Sequence, residues 1–188
     1  MGNNTIFEFI YELAFKDATI RKAFPKNIDE EDEHFRQRKQ EAYNSLKEST
    51  KEYLDSLLDK NKQANPEEYI LRICREGKQY GFTFGNAQKL INMTAKYMFV
   101  ICYDEPEKKA RFKDCHCPMD GIMIQILKGY GKCKDIAPDF PWSRMKSDGK
   151  SIPKEYQIFQ NDVRSLCKAG ELPLEYDFEQ WGKKSYVH

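Results

Sequence analysis

Apolar positions along the chain recur every three to four residues, and nowhere do they alternate over any length. That pattern predicts helices and no sheet. Residues 5–24 read as one amphipathic helix through Ile6, Phe7, Ile10, Leu13, Ala14 and Ile20. Phe24-Pro25 ends it, because the residue before a proline avoids helical backbone. A longer helix is expected over residues 29–60, opened by Glu30, Glu31, Asp32 and Glu33, acidic residues that favour a helix N-terminus. Its apolar positions, Phe35, Ala42, Tyr43, Leu46, Tyr53, Leu54, Leu57 and Leu58, form one narrow stripe on an otherwise charged rod. Such a stripe packs on its own domain, or serves a second copy or a protein partner.

Asn65-Pro66 reads as a cap followed by a first-turn proline, opening a helix through Tyr69, Ile70, Ile73 and Cys74. A turn at Gly81-Phe82-Thr83-Phe84-Gly85-Asn86 then leads into the most apolar helix, residues 86–103. Residues 104–117 are polar and read as a loop, and 118–128 as a short buried helix. Residues 137–151 hold Pro138, Pro141 and Gly149 and read as an irregular crossing. A last long helix opens at Pro153 and stops at Ala169-Gly170, followed by a short element near 176–181. The expectation is a single compact all-α domain with a long charged N-terminal helix. Residues 1–64 form a helical arm packed on the rest, and residues 65–188 a helical core.

The 188 residues suffice for one core. No apolar run approaches the roughly 20 residues of a spanning helix. Glu8 and Glu12 interrupt the first apolar stretch, which argues against a signal peptide and for the cytoplasm. The six cysteines are then expected as thiols. Cys115-His116-Cys117 lacks a second close pair for zinc, so neither a metal nor a cofactor is expected.

The net charge of +1 hides an uneven distribution. Residues 70–134 carry 12 basic against 6 acidic side chains, net +6, between slightly acidic flanks. This argues against whole-surface nucleic-acid binding and for a local basic site. Lys108, Lys109, Arg111 and Lys113 lie in its polar loop. Gly85 and Asn86, at a turn opening into a helix, would offer free N–H groups to a phosphate, with Gln88 and Lys96 further along. Trp142, Trp181, Tyr156 and Phe159 either stack bases or close the core, with Trp142 beside Pro141 expected to plug a gap between helices.

Two segments carry candidate chemistry. In Gly85-Asn86-Ala87-Gln88-Lys89-Leu90-Ile91, Lys89 sits in a first turn against an apolar face, where desolvation favours the neutral, nucleophilic amine. In Pro118-Met119-Asp120, a carboxylate sits at the mouth of a helix. Together these segments resemble the core of the helix-hairpin-helix DNA glycosylases, most of all the archaeal 8-oxoguanine branch, over residues 82–127. There a Gln-Lys pair opens one core helix and Pro-x-Asp the next. The family's Gly-x-Gly hairpin is replaced here by Gly81-Phe82-Thr83-Phe84-Gly85. The resemblance implies an all-α fold, DNA as partner, Lys89 as a Schiff-base nucleophile at the sugar C1′ and Asp120 as its assisting carboxylate. Arg111 and His116 are also similar to the Arg/His pattern of helical HEPN ribonucleases, an alternative that makes RNA the substrate. A non-enzymatic interaction protein working through residues 29–60 is the other alternative.

Overall fold

A computed structural model describes residues 3–20 and 23–185. Among them are eight α-helices and no strand. These are α1 (Asn3–Ala18), α2 (Asp32–Leu58), α3 (Pro66–Gly77), α4 (Phe84–Ile101), α5 (Pro106–Lys109), α6 (Gly121–Gly129), α7 (Lys154–Leu166) and α8 (Pro173–Ser185). Three 3₁₀ turns, Lys78–Tyr80, Ala110–Asp114 and Trp142–Arg144, join them. None of the described helices is long and apolar enough to cross a membrane.

The arrangement follows from α4. It is buried nearly all round from Phe84 to Ala95, so other elements must cover it on every side. α1 lies along one side of it and α3 along another, while α2 packs mainly on α3. α6, α7 and α8 pack on one another. One continuous core runs from Phe7 to Tyr176, so the chain is a single compact domain.

α3 starts as the sequence predicts, with the Asn65 side chain accepting the Glu67 N–H and Pro66 in the first turn. α2 starts at Asp32 rather than Asp29, because Asp29 has a left-handed backbone (φ 65°) that a helix cannot contain. Its stripe (Ala42, Leu46, Tyr53, Leu54, Leu57) is buried within the domain, with Phe35, Tyr43 and Leu58 partly buried on the same core. The stripe therefore leaves no open apolar seam for a second copy. The polar stretch expected as loop winds into α5 and a 3₁₀ turn because Phe112 inserts fully into the core. α8 is longer than the short element expected.

α1 ends at Ala18, not near Phe24. The Asn86 amide explains the early stop. Its Nδ2 donates to the carbonyls of Ala18 at 2.8 Å and Ala23 at 2.9 Å, so the chain folds back and both oxygens converge on one group. The same side chain accepts the Thr83 N–H in a capping box at the start of α4.

Replacing Asn86 by Ala orphans both carbonyls and removes half of the capping box. The expected loss is about 2–4 kcal/mol of stability, read as a lower urea midpoint at unchanged m-value.

Candidate active site: a lysine–aspartate pair on a small cavity

Residues 115–120 run through the interior with every residue buried and no helix of their own. Two glutamines satisfy the backbone of Cys117 and Met119. Gln160 of α7 accepts the Cys117 N–H at 3.1 Å and donates to the Cys117 carbonyl at 2.7 Å. Gln88 of α4 accepts the Met119 N–H at 3.1 Å and donates to the Met119 carbonyl at 2.8 Å. Pro118, between them, has no N–H to satisfy. The next residue, Asp120, caps α6 by accepting the Met123 N–H at 2.9 Å. Its other oxygen takes a hydrogen bond from Lys89 Nζ at 2.7 Å. The two expected catalytic residues are thus in direct contact, and both are buried. Burial pushes the Asp120 carboxyl up, but the Lys89 charge and hydrogen bond, with the Met123 N–H, outweigh it and leave the group below its ordinary value.

Gly85 has a different job from the one expected of it. It lies inside the first turn of α4, and its N–H donates to the Met145 carbonyl at 3.1 Å. A Cβ there would stand 2.0 Å from the Trp142 carbonyl oxygen. Only glycine lets the 142–145 segment settle on α4, where the Thr83 hydroxyl also donates to the Ser143 carbonyl at 2.6 Å. That contact brings the Trp142 ring to 5.8 Å from Lys89 Nζ. Trp142 therefore does not simply plug a gap between helices; it flanks the amine.

Lys89, Met93, Lys96 and Tyr97 share one face of α4 by helical spacing. With Asp17, Pro118 and Trp181 they line a cavity of about 220 Å³. Lys96 Nζ lies 2.6 Å from Asp177 Oδ2 and 5.4 Å from the Trp181 ring. Asp177 is fully buried, and among the described residues its Oδ1 has no hydrogen-bond partner. Burial raises its carboxyl, and the Lys96 and Lys89 charges only partly offset this. Asp17 Oδ2 accepts the Tyr97 hydroxyl at 2.6 Å. Trp181 was expected either to stack a base or to close the core, whereas Asp177 and Asp17 carried no sequence signal for this site, because α1 and α8 reach it only in three dimensions.

The expected nucleic-acid contacts separate into three groups. Gly85, Asn86 and Gln88 are buried and bonded inside the protein, so they cannot present N–H groups to a phosphate. Lys96 belongs to the cavity. In the basic loop, Lys109 pairs with Glu175, Lys108 with Glu105, and Arg111 donates to the Leu57 and Asp59 carbonyls at the end of α2. Lys113 is exposed. Arg111 is thus held at the end of α2, while His116 faces the Tyr156 hydroxyl at 3.0 Å. Tyr156 and Phe159 are core residues, and no group of three or more His, Cys, Asp or Glu among the described residues is placed to hold a metal. Five of the six thiols are buried, and Cys167 is half-buried.

No known protein family, curated protein or solved structure matches the chain. The geometry defines a helical domain with a buried amine–carboxylate pair on a small aromatic-walled cavity.

Gly85→Ala is expected to displace residues 142–145, change the near-ultraviolet tryptophan signal and cost about 1–3 kcal/mol. Gly129→Ala, with open space around it, should leave that signal unchanged. A second outcome concerns His116, whose imidazole burial and the Arg164 charge push down to about 4 from 6.5. Between those values the unfolded chain binds the extra proton, so stability falls as pH drops from about 6.5 towards 4, by on the order of 3 kcal/mol. His116→Gln should flatten the stability–pH curve between pH 4.5 and 6.5 in urea melts.

Proposed function

We propose that the chain binds DNA and excises a damaged base as a helix-hairpin-helix type glycosylase and lyase, with Lys89 as nucleophile. One observation carries the reading: the Lys89 amine, bonded to Asp120 at 2.7 Å, opens on a cavity walled by Trp181 and Met93. At about 220 Å³ the cavity is below the roughly 300–1,000 Å³ of drug-sized sites, a size suited to one ring system rather than a whole nucleotide. A base must leave the duplex stack to reach such a place, and an aromatic wall offers it a stacking surface in exchange.

The chemistry follows from the pair. Asp120 accepts a proton from the Lys89 ammonium, freeing the nitrogen lone pair. That pair forms the bond to C1′, the glycosidic C1′–N bond breaks, and the base leaves with its electrons and takes up a proton. The attached nitrogen loses a proton, the C1′–O4′ bond opens, and O4′ is protonated, leaving the imine between Lys89 and the sugar. Loss of a C2′ proton then expels the 3′-phosphate oxygen and cuts the strand. Lys96, two turns further along α4 and paired with Asp177 of α8, supplies a donor for the polar edge of the base.

Borohydride reduction of this imine gives a covalent protein–DNA product, the direct readout. Wild type is expected to cross-link to duplexes carrying a damaged base or an abasic site. Lys89→Gln should give none while keeping its helical circular dichroism, and Asp120→Asn should slow cross-linking by about a hundredfold or more. Absence of a cross-link on every lesion, or an undiminished one in Lys89→Gln, removes the enzymatic reading.

A further inference from the structure

A second cavity, of about 470 Å³, lies between the C-terminal turn of α3 and the loop at residues 145–151. Arg75 and Lys78 line one wall and Lys146 the other, with Thr83 and Phe84 of the α4 start between them. Arg144 and Lys150 are exposed on the same loop segment. None of these five cations takes part in an ion pair among the described residues. In the 108–111 stretch, by contrast, Lys108 and Lys109 are paired with carboxylates. The one acid in the groove, Asp148, is turned into its own loop, where Oδ1 accepts the N–H groups of Lys150 and Ser151.

The groove is also fixed in shape. Arg75 donates to the Gly149 carbonyl, and Gly149 (φ 79°) lets the loop rest on the Arg75 stem, since a Cβ there would stand 2.4 Å from Arg75 Cγ. Much of the backbone at the α4 end of the groove is already engaged. The N–H groups of Gly81, Phe82 and Gly85 go to the carbonyls of Lys78, Gly77 and Met145, and that of Thr83 to Asn86. The charges available to an anion in this groove are the Arg75, Lys78 and Lys146 side chains.

We propose that Arg75, Lys78 and Lys146 hold the backbone phosphates of duplex DNA in this groove, and that the strand continues past Trp142 to the Lys89 cavity. The Trp142–Arg144 turn connects the two places, with its ring beside Lys89 and its following residues forming the groove loop. Lys89 itself lies five residues beyond Phe84 on α4, roughly 8 Å along the helix axis. The assignment rests on the reading that DNA is the partner, but not on the chemistry of Lys89.

The test is fluorescence anisotropy of the full chain on a labelled duplex carrying an abasic analogue, over a series of salt concentrations. Each lost phosphate contact lowers the slope of log K against log salt by about one. The double variant Lys78→Gln/Lys146→Gln should therefore bind at least tenfold more weakly and lose about two from that slope. Lys108→Gln/Lys113→Gln should stay within about threefold of wild type. All four lysines are exposed, so folding is checked simply by an unchanged thermal melt. Wild-type affinity and slope in the first variant, or a larger loss in the second, overturn the groove. A lost slope without any borohydride cross-link keeps the groove and removes the Lys89 chemistry, whereas a cross-link with an unchanged slope does the reverse. A wild-type chain that binds no DNA at 50 mM salt overturns both.

Discussion

A backbone amide or carbonyl taken out of water needs a partner inside the protein, and for Cys117 and Met119 the partners are two glutamine side chains. The rest of the site depends on this. Gln88 grips Met119 from both sides, and its neighbours along the chain are the two that matter, Lys89 after the glutamine and Asp120 after the methionine. One turn of α4 thus carries the amine and also holds the strand that carries the carboxylate. Gln160 repeats the grip at Cys117, on the other side of Pro118, and ties the same segment to α7. A buried Lys–Asp pair is held in register by neutral hydrogen bonds on either side rather than by its own charge alone. Desolvation makes such a pair a weak source of net stability, so its geometry has to be set by something else.

The helices were legible because their causes are local. Asn65-Pro66 announces α3, the acidic cluster announces α2, and the glycine turn before a largely apolar stretch announces α4. The contact of Lys89 with Asp120 was also anticipated, through the resemblance of two short segments rather than through any pattern of charge. What stayed hidden depends on residues distant in sequence. Gly85 looks like an open turn, yet the Trp142 carbonyl approaches it so closely that a side chain would not fit. Asn86 looks like a turn residue but gathers two carbonyls from the end of α1. Lys96 looks like a surface cation until α8 brings Asp177 to it.

Charge shows the same division. The +6 of residues 70–134 includes Lys89, Lys96 and Lys109, each beside a carboxylate, and Arg111, which closes the end of α2. These contribute little field at the surface. The groove cations, none of them in an ion pair among the described residues, come from two separate stretches, Arg75 and Lys78 within that segment and Arg144, Lys146 and Lys150 beyond it. A count along the chain cannot distinguish a neutralised lysine from a free one, and it cannot add two segments that fold places side by side.

The Lys96–Asp177 contact bears on how the domain assembles. Lys96 stands in the middle of the most apolar helix, and its counter-charge arrives with the last described helix. Until α8 docks, the chain can hold α4 in place only by leaving that ammonium group in water. The seating of α8 therefore closes the cavity wall with Trp181 and neutralises Lys96 in a single event. The core and the site are, in this chain, completed by the same helix.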